Sequence, residues 1–564
     1  MSDQYDLGEL ADGVRKQYDE VSFPAVYEVE APREIMLSMS DGVKLRTCIY
    51  RPNTGTKILP VIISRCCYPH NEIFLKIHGE EFGKRGFAFV YQFCRGTGGS
   101  EGVWEPNVNE RSDGFDTLNW LCGLDWVDTV GYWGSSYLAL TGWSIIDIVP
   151  DKVKTMYLTQ YGTDRFVSAY KDGLFRHDVL TSWAMGNAGH PVTADYLESC
   201  RYRPHIEVDE KLWGGELDWY RDWVTAAESG SEYWQSGFWK LLKTIPEKIS
   251  MPVYIGESWH DHHLASALTT YDKLSKASKN KSTLRIGAWN HMFMPCLSGH
   301  ECKNLENNDI VTAMDWFHQI LVEKVTPKKK VLTYIIGEDR WQEWGEFPIQ
   351  TKSSKKLYFL ADLSAPGQYQ LSVRSGEDKE LKYVYDPEEP VMSLGGDALL
   401  YNIEMAGSVQ QPDCGYRKDV LSFVSEPFKE GLLLAGKMEC RLFVSSDVFD
   451  TAFTVKIMEV FSDGRAFNIR NGITTMGFRN KSLERLTYEP DTIEEVTIEL
   501  LDITWKLKEG SSLRVDVTSS DFPEYALHSN YPGIWSLQEK TRKANQTFYT
   551  GKHYPSCIRL PIIE

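Results

Sequence analysis

Between residues 35 and 160, short apolar runs alternate with longer mixed segments. Val61-Ile62-Ile63 and Phe87-Ala88-Phe89-Val90-Tyr91 are brief, β-rich and bounded by Pro or Gly, the pattern of parallel strands buried on both faces. Apolar residues at 73, 74, 77 and 82 predict a helix over 73–86. Residues 113–124 predict another, with Phe115, Leu118 and Leu121 on its inner face. Strand, helix, strand is the grammar of an open α/β sheet. From about 163 to 248 strand-like runs disappear, and helical segments carry Trp183, Trp213, Trp219, Trp223, Trp234 and Trp239. They read as the core of a small helical subdomain, some of them also facing a pocket. The α/β grammar resumes at 251–256 and 284–287. A helix opened by Asn308 or Asp309 follows, with Ile310, Val311, Met314, Phe317 and Leu321 at helical spacing. Residues 326–330 read as punctuation, with Lys328 to Lys330 a solvated linker. Beyond about 350, helical periodicity nearly vanishes, and strands at 357–360, 442–444, 453–457 and 513–517 predict a sandwich or jelly roll.

Composition narrows the function. The chain has 564 residues, 42% hydrophobic and 25% charged, a globular mixture too long for one core. Its 61 basic and 79 acidic residues give a net charge of −18. That balance excludes a backbone-neutralising nucleic-acid binder, disfavours an anionic membrane surface and weakly disfavours anionic substrates. The opening MSDQYDLGEL has neither a basic nor an apolar leader region, and no run of 18 apolar residues occurs. Eleven cysteines without a CxxC pair read as reduced thiols. The expectation is a cytoplasmic protein without nucleic-acid or membrane partners, its self-association left open.

The sharpest local signal is Val130-Gly131-Tyr132-Trp133-Gly134-Ser135-Ser136-Tyr137-Leu138-Ala139. A nucleophile elbow holds a serine on a strained strand-to-helix turn and needs small neighbours. Ser136 has Gly134 two before and Ala139 three after, whereas Ser135 would be crowded by Trp133 and Tyr137. Leu138 stands where the usual pattern has its second glycine. A serine needs a base, and the base needs an orienting carboxylate. The run ending at Gly256 leads into Glu257-Ser258-Trp259-His260-Asp261, and that ending at Gly287 into Ala288-Trp289-Asn290-His291. Asp261 and His291 thus follow Ser136 in the order serine, acid, histidine, each just past a strand. The 125-position gap before Asp261 is filled by the Trp-rich helices, as a cap would fill it. Trp133, Trp259 and Trp289 flank the three residues and are expected to wall the acyl pocket.

Gly134-Ser135-Ser136-Tyr137, Trp259-His260-Asp261 and Ala288-Trp289-Asn290-His291 resemble the triad motifs of the CocE/NonD hydrolases, the cocaine esterase/X-prolyl dipeptidyl-peptidase group. The resemblance continues at Arg65-Cys66-Cys67-Tyr68, through residues 95–102 and 113–117, and in the C-terminal half at 385–387, 445–447, 463–465 and 519–523. It implies a Ser136 nucleophile, a His291 base oriented by Asp261, and an oxyanion hole made by the Tyr68 hydroxyl and the Tyr137 backbone N–H. It also implies an acyl-enzyme, no cofactor, and a galactose-binding-like jelly roll. Two departures stand out. Phe93 occupies a position where the family usually has Asp. His263 and Leu264 occupy positions that carry carboxylates in members acting on α-amino acid esters, which disfavours such substrates.

The expected fold is an α/β hydrolase (1–162 and 249–345) with an inserted helical cap (163–248) and a C-terminal all-β jelly roll (346–564). The expected activity is hydrolysis of a small ester or amide, by an esterase, acylase or X-prolyl dipeptidyl-peptidase. Two alternatives come from other classes: a catalytically silent glycan- or ligand-binding protein using the jelly roll, and a metal-dependent hydrolase using the His260–His263 cluster. The irregular spacing of other donors favours no metal. The glycines at 96–102 lack a phosphate-loop ending and read as a surface turn, and Asp113 and Asp116 read as helix N-terminal caps.

Overall fold

In the computed structural model, residues 7–563 are described apart from 307, 352, 398–401, 403 and 404. Residues 1–6 of the opening segment lie outside them. Ten strands make the first sheet: β1 (Arg33–Ser38), β2 (Lys44–Tyr50), β3 (Leu59–Cys66), β4 (Ala88–Phe93) and β5 (Val127–Ser135). They continue with β6 (Val153–Thr159), β7 (Val253–Ser258), β8 (Thr283–Gly287), β9 (Lys330–Ile335) and β10 (Arg340–Trp344). Their order is β1-β2-β4-β3-β5-β6-β7-β8-β9-β10. Strands β3 to β9 run parallel, and β1, β2 and β10 are antiparallel edges. This is the α/β-hydrolase sheet. Lys330 opens β9, so the lysine run ends inside the sheet's register.

Strand alternation sorts the two faces. Ile62, Phe89, Trp133, Tyr157 and Tyr254 turn toward α1 (Leu7–Asp19), α2 (Glu72–Lys84) and the helix Asp309–Phe317. Val61, Val90, Tyr132, Leu158 and Ile255 turn toward α3 (Glu110–Cys122) and α4 (Tyr137–Trp143). Phe115 departs from expectation: it is 39% exposed. Helix α3 instead buries Asp113, Gly114, Thr117, Leu118 and Leu121, because Asp113 is drawn inward by Arg95, which donates to it at 2.7 and 3.1 Å. Asp116 accepts from the Ser40 N–H at 2.8 Å. Neither acid caps the helix; both tie it to neighbouring loops. Asn308 does precede the later helix, but its side chain accepts from Arg285 rather than capping.

Six helices lie between β6 and β7: α5 (Arg165–Ala169), α6 (His177–Gly186), α7 (Tyr196–Arg201), α8 (Asp218–Thr225), α9 (Glu232–Gln235) and α10 (Gly237–Thr244). A two-residue ladder, Tyr170–Lys171 with Leu174–Phe175, interrupts them and escaped the periodicity. Trp213, Trp223, Trp234 and Trp239 are buried, while Trp183 and Trp219 are half-buried. Beyond Trp344 the chain is all-β. Strands such as Ser353–Ala365, Glu439–Ser446, Ala452–Val460 and Ser512–Thr518 cover the predicted runs. A single apolar core passes from the sheet through the tryptophan helices to Phe359, Phe423, Trp505 and Phe548.

Buried charges join the three regions. Arg470, on the strand Ala466–Thr475, donates to Asp397 at 2.8 Å and to the Trp259 carbonyl at 2.5 Å. The Arg176 guanidinium lies 3.4 Å from Glu524 and 3.8 Å from Asp178 and Asp397. Asn471 donates to Asp521 and Glu524, both at 2.7 Å. Three buried acids thus share two guanidinium groups, and Asn471 ties Asp521 to the same cluster. Burial pushes the Asp178 carboxyl up to about 7 against the pull of Arg176, and it raises Glu524 well above the usual range. In the unfolded chain these groups ionise near pH 4. Between about pH 4 and 7 the folded protein therefore holds protons that the unfolded chain has released, and stability declines as pH rises through that window. The neutral isostere Asp178→Asn is expected to shrink the fall in thermal midpoint between pH 5 and pH 8. An unchanged fall would exclude Asp178 as its source.

Candidate active site

Strand β5 runs into α4 through Ser136, whose φ of 56° and ψ of −126° are unusual for a residue with a side chain. The sequence permits this turn because of its neighbours. A Cβ at Gly134 would lie 2.2 Å from the Leu138 carbonyl oxygen, and Ala139 is fully buried. Leu138 is half-buried against the α1/α2 face of the sheet, so a side chain is tolerated there. The Ser136 N–H donates to Thr159 O at 2.9 Å. Ser135 points elsewhere, its hydroxyl donating to Gln160.

Asp261 and His291 lie past the carboxyl ends of β7 and β8, which pair in register. His291 Nδ1 is 2.5 Å from Asp261 Oδ2, and its Nε2 is 3.0 Å from Ser136 Oγ. Asp261 is fully buried, and its Oδ1 accepts from the His263 N–H at 2.6 Å. With Asp261 Oδ2 as acceptor for a proton on Nδ1, the Nε2 atom is the one that faces the serine hydroxyl. The three residues that the sequence separates by 155 positions meet in one hydrogen-bonded line.

Tyr68 follows β3 and precedes a short 3-10 turn. Its oxygen accepts from Trp183 Nε1 at 2.9 Å. Indole can only donate, so the Tyr68 oxygen is the acceptor in this contact, and the Cys67 thiol is a second hydrogen-bonding neighbour of the hydroxyl. Tyr137 is the first residue of α4, where the backbone N–H has no partner within the helix. Its phenol donates to Glu110 at 3.0 Å and accepts from the Asn107 N–H at 2.8 Å. Glu110 in turn lies 3.3 Å from the buried Arg65 of β3. Burial pushes both tyrosine hydroxyls well above their usual range, so they remain protonated donors.

A small cavity of about 30 Å3 joins these groups. Tyr68, Ser136, Tyr137 and His291 line it together with Asn107, Tyr161, Arg165, Val179, Trp183, Trp223, His262 and His263. Trp133, Trp259 and Trp289 are absent from this lining. Trp133 faces the opposite side of the sheet, against His78 and Phe82. Trp259 is fully buried and donates to Tyr334 O, and Trp289 packs on Phe293 and Trp341. The aromatic wall comes instead from Trp183 and Trp223 of the inserted helices. Those two belonged to the Trp-rich stretch, but nothing in their spacing separated them from its core tryptophans. Arg165 and Tyr161 gave no local signal.

The histidine cluster disperses. His260 N–H donates to Trp289 O, outside the cavity lining, and His263 Nδ1 pairs with Ser168 Oγ at 3.1 Å. Asp261, His262 and His291 do approach one another, with Asp261 Oδ2 and His291 Nδ1 bonded to each other. Burial, then neighbouring cations, hold His262 and His263 well below the usual imidazole range. Phe93 is fully buried beside Gly98, where a Cβ would touch its ring, and the Arg46 guanidinium lies over it at 5.5 Å. An apolar wedge thus supports the glycine loop at this position.

Sequence profiles of two families match. That of the X-Pro dipeptidyl-peptidase (S15 family) covers residues 41–293, and that of the X-Pro dipeptidyl-peptidase C-terminal non-catalytic domain covers residues 323–559. Cocaine esterase of Rhodococcus sp. (strain MB1 Bresler) is 27% identical over 94% of this chain and 98% of its own. Among solved structures, an aminopeptidase from a marine sediment Thaumarchaeota archaeon superposes with a TM-score of 0.79 at 21% identity, covering 95% of this chain and 97% of its own. An alpha-amino acid ester hydrolase gives 0.79 at 20% identity, covering 96% and 97%.

Substituting Gly134→Ala is expected to slow covalent labelling of Ser136 by a fluorophosphonate at least about tenfold, because the new Cβ cannot coexist with the Leu138 carbonyl. Labelling at the wild-type rate would show that the elbow does not depend on this close approach.

Proposed function

Since this chain belongs to the cocaine esterase/X-Pro dipeptidyl-peptidase group of CocE/NonD serine hydrolases, we propose that Ser136 is its nucleophile, His291 its general base and Asp261 the carboxylate that orients the imidazole. Ser136 Oγ attacks the ester or amide carbonyl while Nε2 takes its proton. The imidazolium then protonates the leaving group, and water repeats the sequence to free Ser136. The Tyr68 hydroxyl and Tyr137 N–H receive the oxyanion, each donor worth about 3 to 4 kcal/mol in the transition state. The observation that supports this most is the unbroken line from Ser136 through His291 to Asp261, opening onto a cavity that Tyr68 shares.

Esterase or acylase action is favoured over dipeptide release. A dipeptide's terminal ammonium needs a carboxylate, and among the described residues none lines the cavity. We further divide the chain into a split catalytic domain (1–162, 249–345), a cap (163–248) and a jelly roll (346–564), a division supported by the change from mixed to helical to all-β segments. Eleven free cysteines support a cytoplasmic setting. Among the described residues no helix is long and apolar enough to cross a membrane.

Ser136→Ala is expected to abolish fluorophosphonate labelling and to lower turnover by roughly 10³-fold or more. A wild-type protein that neither labels nor hydrolyses would end the hydrolase assignment. Beside Xaa-Pro p-nitroanilides, p-nitrophenyl esters should be turned over; cleavage of the anilides alone would make the protein a peptidase. Tyr68→Phe should cost about 10²-fold in kcat with little change in KM, because the lost donor acts on charge that develops after binding.

A further inference from the structure

The loop from β7 to the helix Leu264–Lys273 carries one imidazole that the reaction proposed above leaves unused. His262 is 1% exposed and lines the cavity beside Ser136 and His291. Its neighbours in the loop are engaged, Asp261 with His291 and His263 with Ser168. His262 Nδ1 is buried and, among the described residues, makes no hydrogen bond. It lies 3.4 Å from Asp261 Oδ1. That oxygen accepts from the His263 N–H at 2.6 Å and has capacity for a second donor, while Oδ2 faces His291 at 2.5 Å. The His262 ring centre stands 4.8 Å from that of His291 and 3.9 Å from that of His263. Burying a ring nitrogen without a partner is costly, so its place against the carboxylate calls for a reason.

The charged and titratable groups that face His262 come from three directions. Asp261 and His263 lie on its own loop, His291 on the turn after β8, and Arg165 and Arg176 on the inserted segment. Burial first, then the two histidines and the two arginines, hold the His262 ring neutral. Resting on the reading of Ser136, His291 and Asp261 as nucleophile, base and orienting acid, we propose that His262 is a positioning residue for the base. It presents an N–H from Nδ1 to Asp261 Oδ1 and braces the His291 ring with its own. A carboxylate oxygen attracts a ring N–H and repels a ring lone pair, so a neutral imidazole fits this place in one tautomer. Two consequences follow for His291. With Oδ1 held by His262 and by the His263 N–H, the carboxylate cannot rotate Oδ2 away from the base. The donor on Oδ1 also takes part of the Asp261 charge, so a proton on His291 is held less tightly and passes more readily to the leaving group. A cation at residue 262 would compete with the imidazolium of His291 for the whole of that charge, whereas a neutral ring takes only a share.

The test uses three substitutions and the pH profile of p-nitrophenyl butanoate hydrolysis. His262→Phe keeps a ring and removes both nitrogens. His262→Asn sets its amide nitrogen where the imidazole has Nδ1, and His262→Gln sets its own where the imidazole has Nε2. His262→Phe should lower kcat about tenfold and leave KM within about twofold, the loss of roughly one hydrogen bond to a charged group that acts after binding. The acid limb of its kcat/KM profile should move up by about half a pH unit or more, because Asp261 then holds a proton on His291 more tightly. His262→Asn should recover most of the rate and return the limb toward its wild-type position, and His262→Gln should do neither. Wild-type kcat in His262→Phe, a rate loss with the limb unmoved, or equal recovery by Asn and Gln would overturn the proposal. If His262→Phe fails to fold, the difference between His262→Asn and His262→Gln in kcat and in the acid limb decides the matter. Fluorophosphonate labelling and turnover of the wild type report on Ser136 separately, so failure of the His262 role is distinguishable from failure of the nucleophile.

Discussion

The 3.0 Å contact between Ser136 and His291 depends on the parallel register of β5, β6, β7 and β8. Parallel strands end on the same side of a sheet, so three turns far apart in sequence deliver their side chains to one place. The backbone conformation at Ser136 is unfavourable for any residue with a Cβ and is held only by the packing around it. Gly134, Ala139 and the bond from Ser136 N–H to Thr159 O make that turn the one the chain adopts. The geometry of the site follows from this constraint, because Asp261 holds one ring nitrogen of His291 and leaves the other facing the serine.

A second layer holds the side of the cavity that Tyr68 and Tyr137 line. Arg65, Glu110 and Tyr137 form a buried chain from β3 to the elbow, and Trp183 orients the Tyr68 hydroxyl from an inserted helix. The helices between β6 and β7 therefore supply more than a cover. They contribute the partner of the Tyr68 hydroxyl, two aromatic walls and the cation of the cavity. The all-β region reaches the same place from behind, where Arg470 binds the Trp259 carbonyl two residues before Asp261. Its acidic neighbours at Arg176 make that junction sensitive to proton uptake, so the attachment of the inserted helices and the support of the Asp261 turn share one buried network.

Much of this was legible in the residues themselves. Runs such as Val61-Ile62-Ile63 became strands because a strand buried on both faces must be apolar throughout. Ser136, Asp261 and His291 could be singled out because each sits next to a small-residue turn or just past a strand end. Reading was poorer where side-chain direction mattered. Phe115 shares a helical stripe with Leu118 and Leu121, yet the pull of Arg95 on Asp113 turned α3 enough to leave it in solvent. Trp133, Trp259 and Trp289 adjoin the reactive residues in sequence, but a strand sends neighbours to opposite faces and a turn redirects the chain.

The sequence by itself determined the α/β sheet, the helices inserted in it, the all-β end and the candidacy of Ser136, Asp261 and His291. These depend on local periodicity and on glycine, which act within a few positions. Only the tertiary structure decided which surfaces face the serine. Arg165, Tyr161, Trp183 and Trp223 reach the cavity because the inserted segment folds back over the sheet. That docking is fixed by contacts between residues far apart in the chain, and no spacing rule records it.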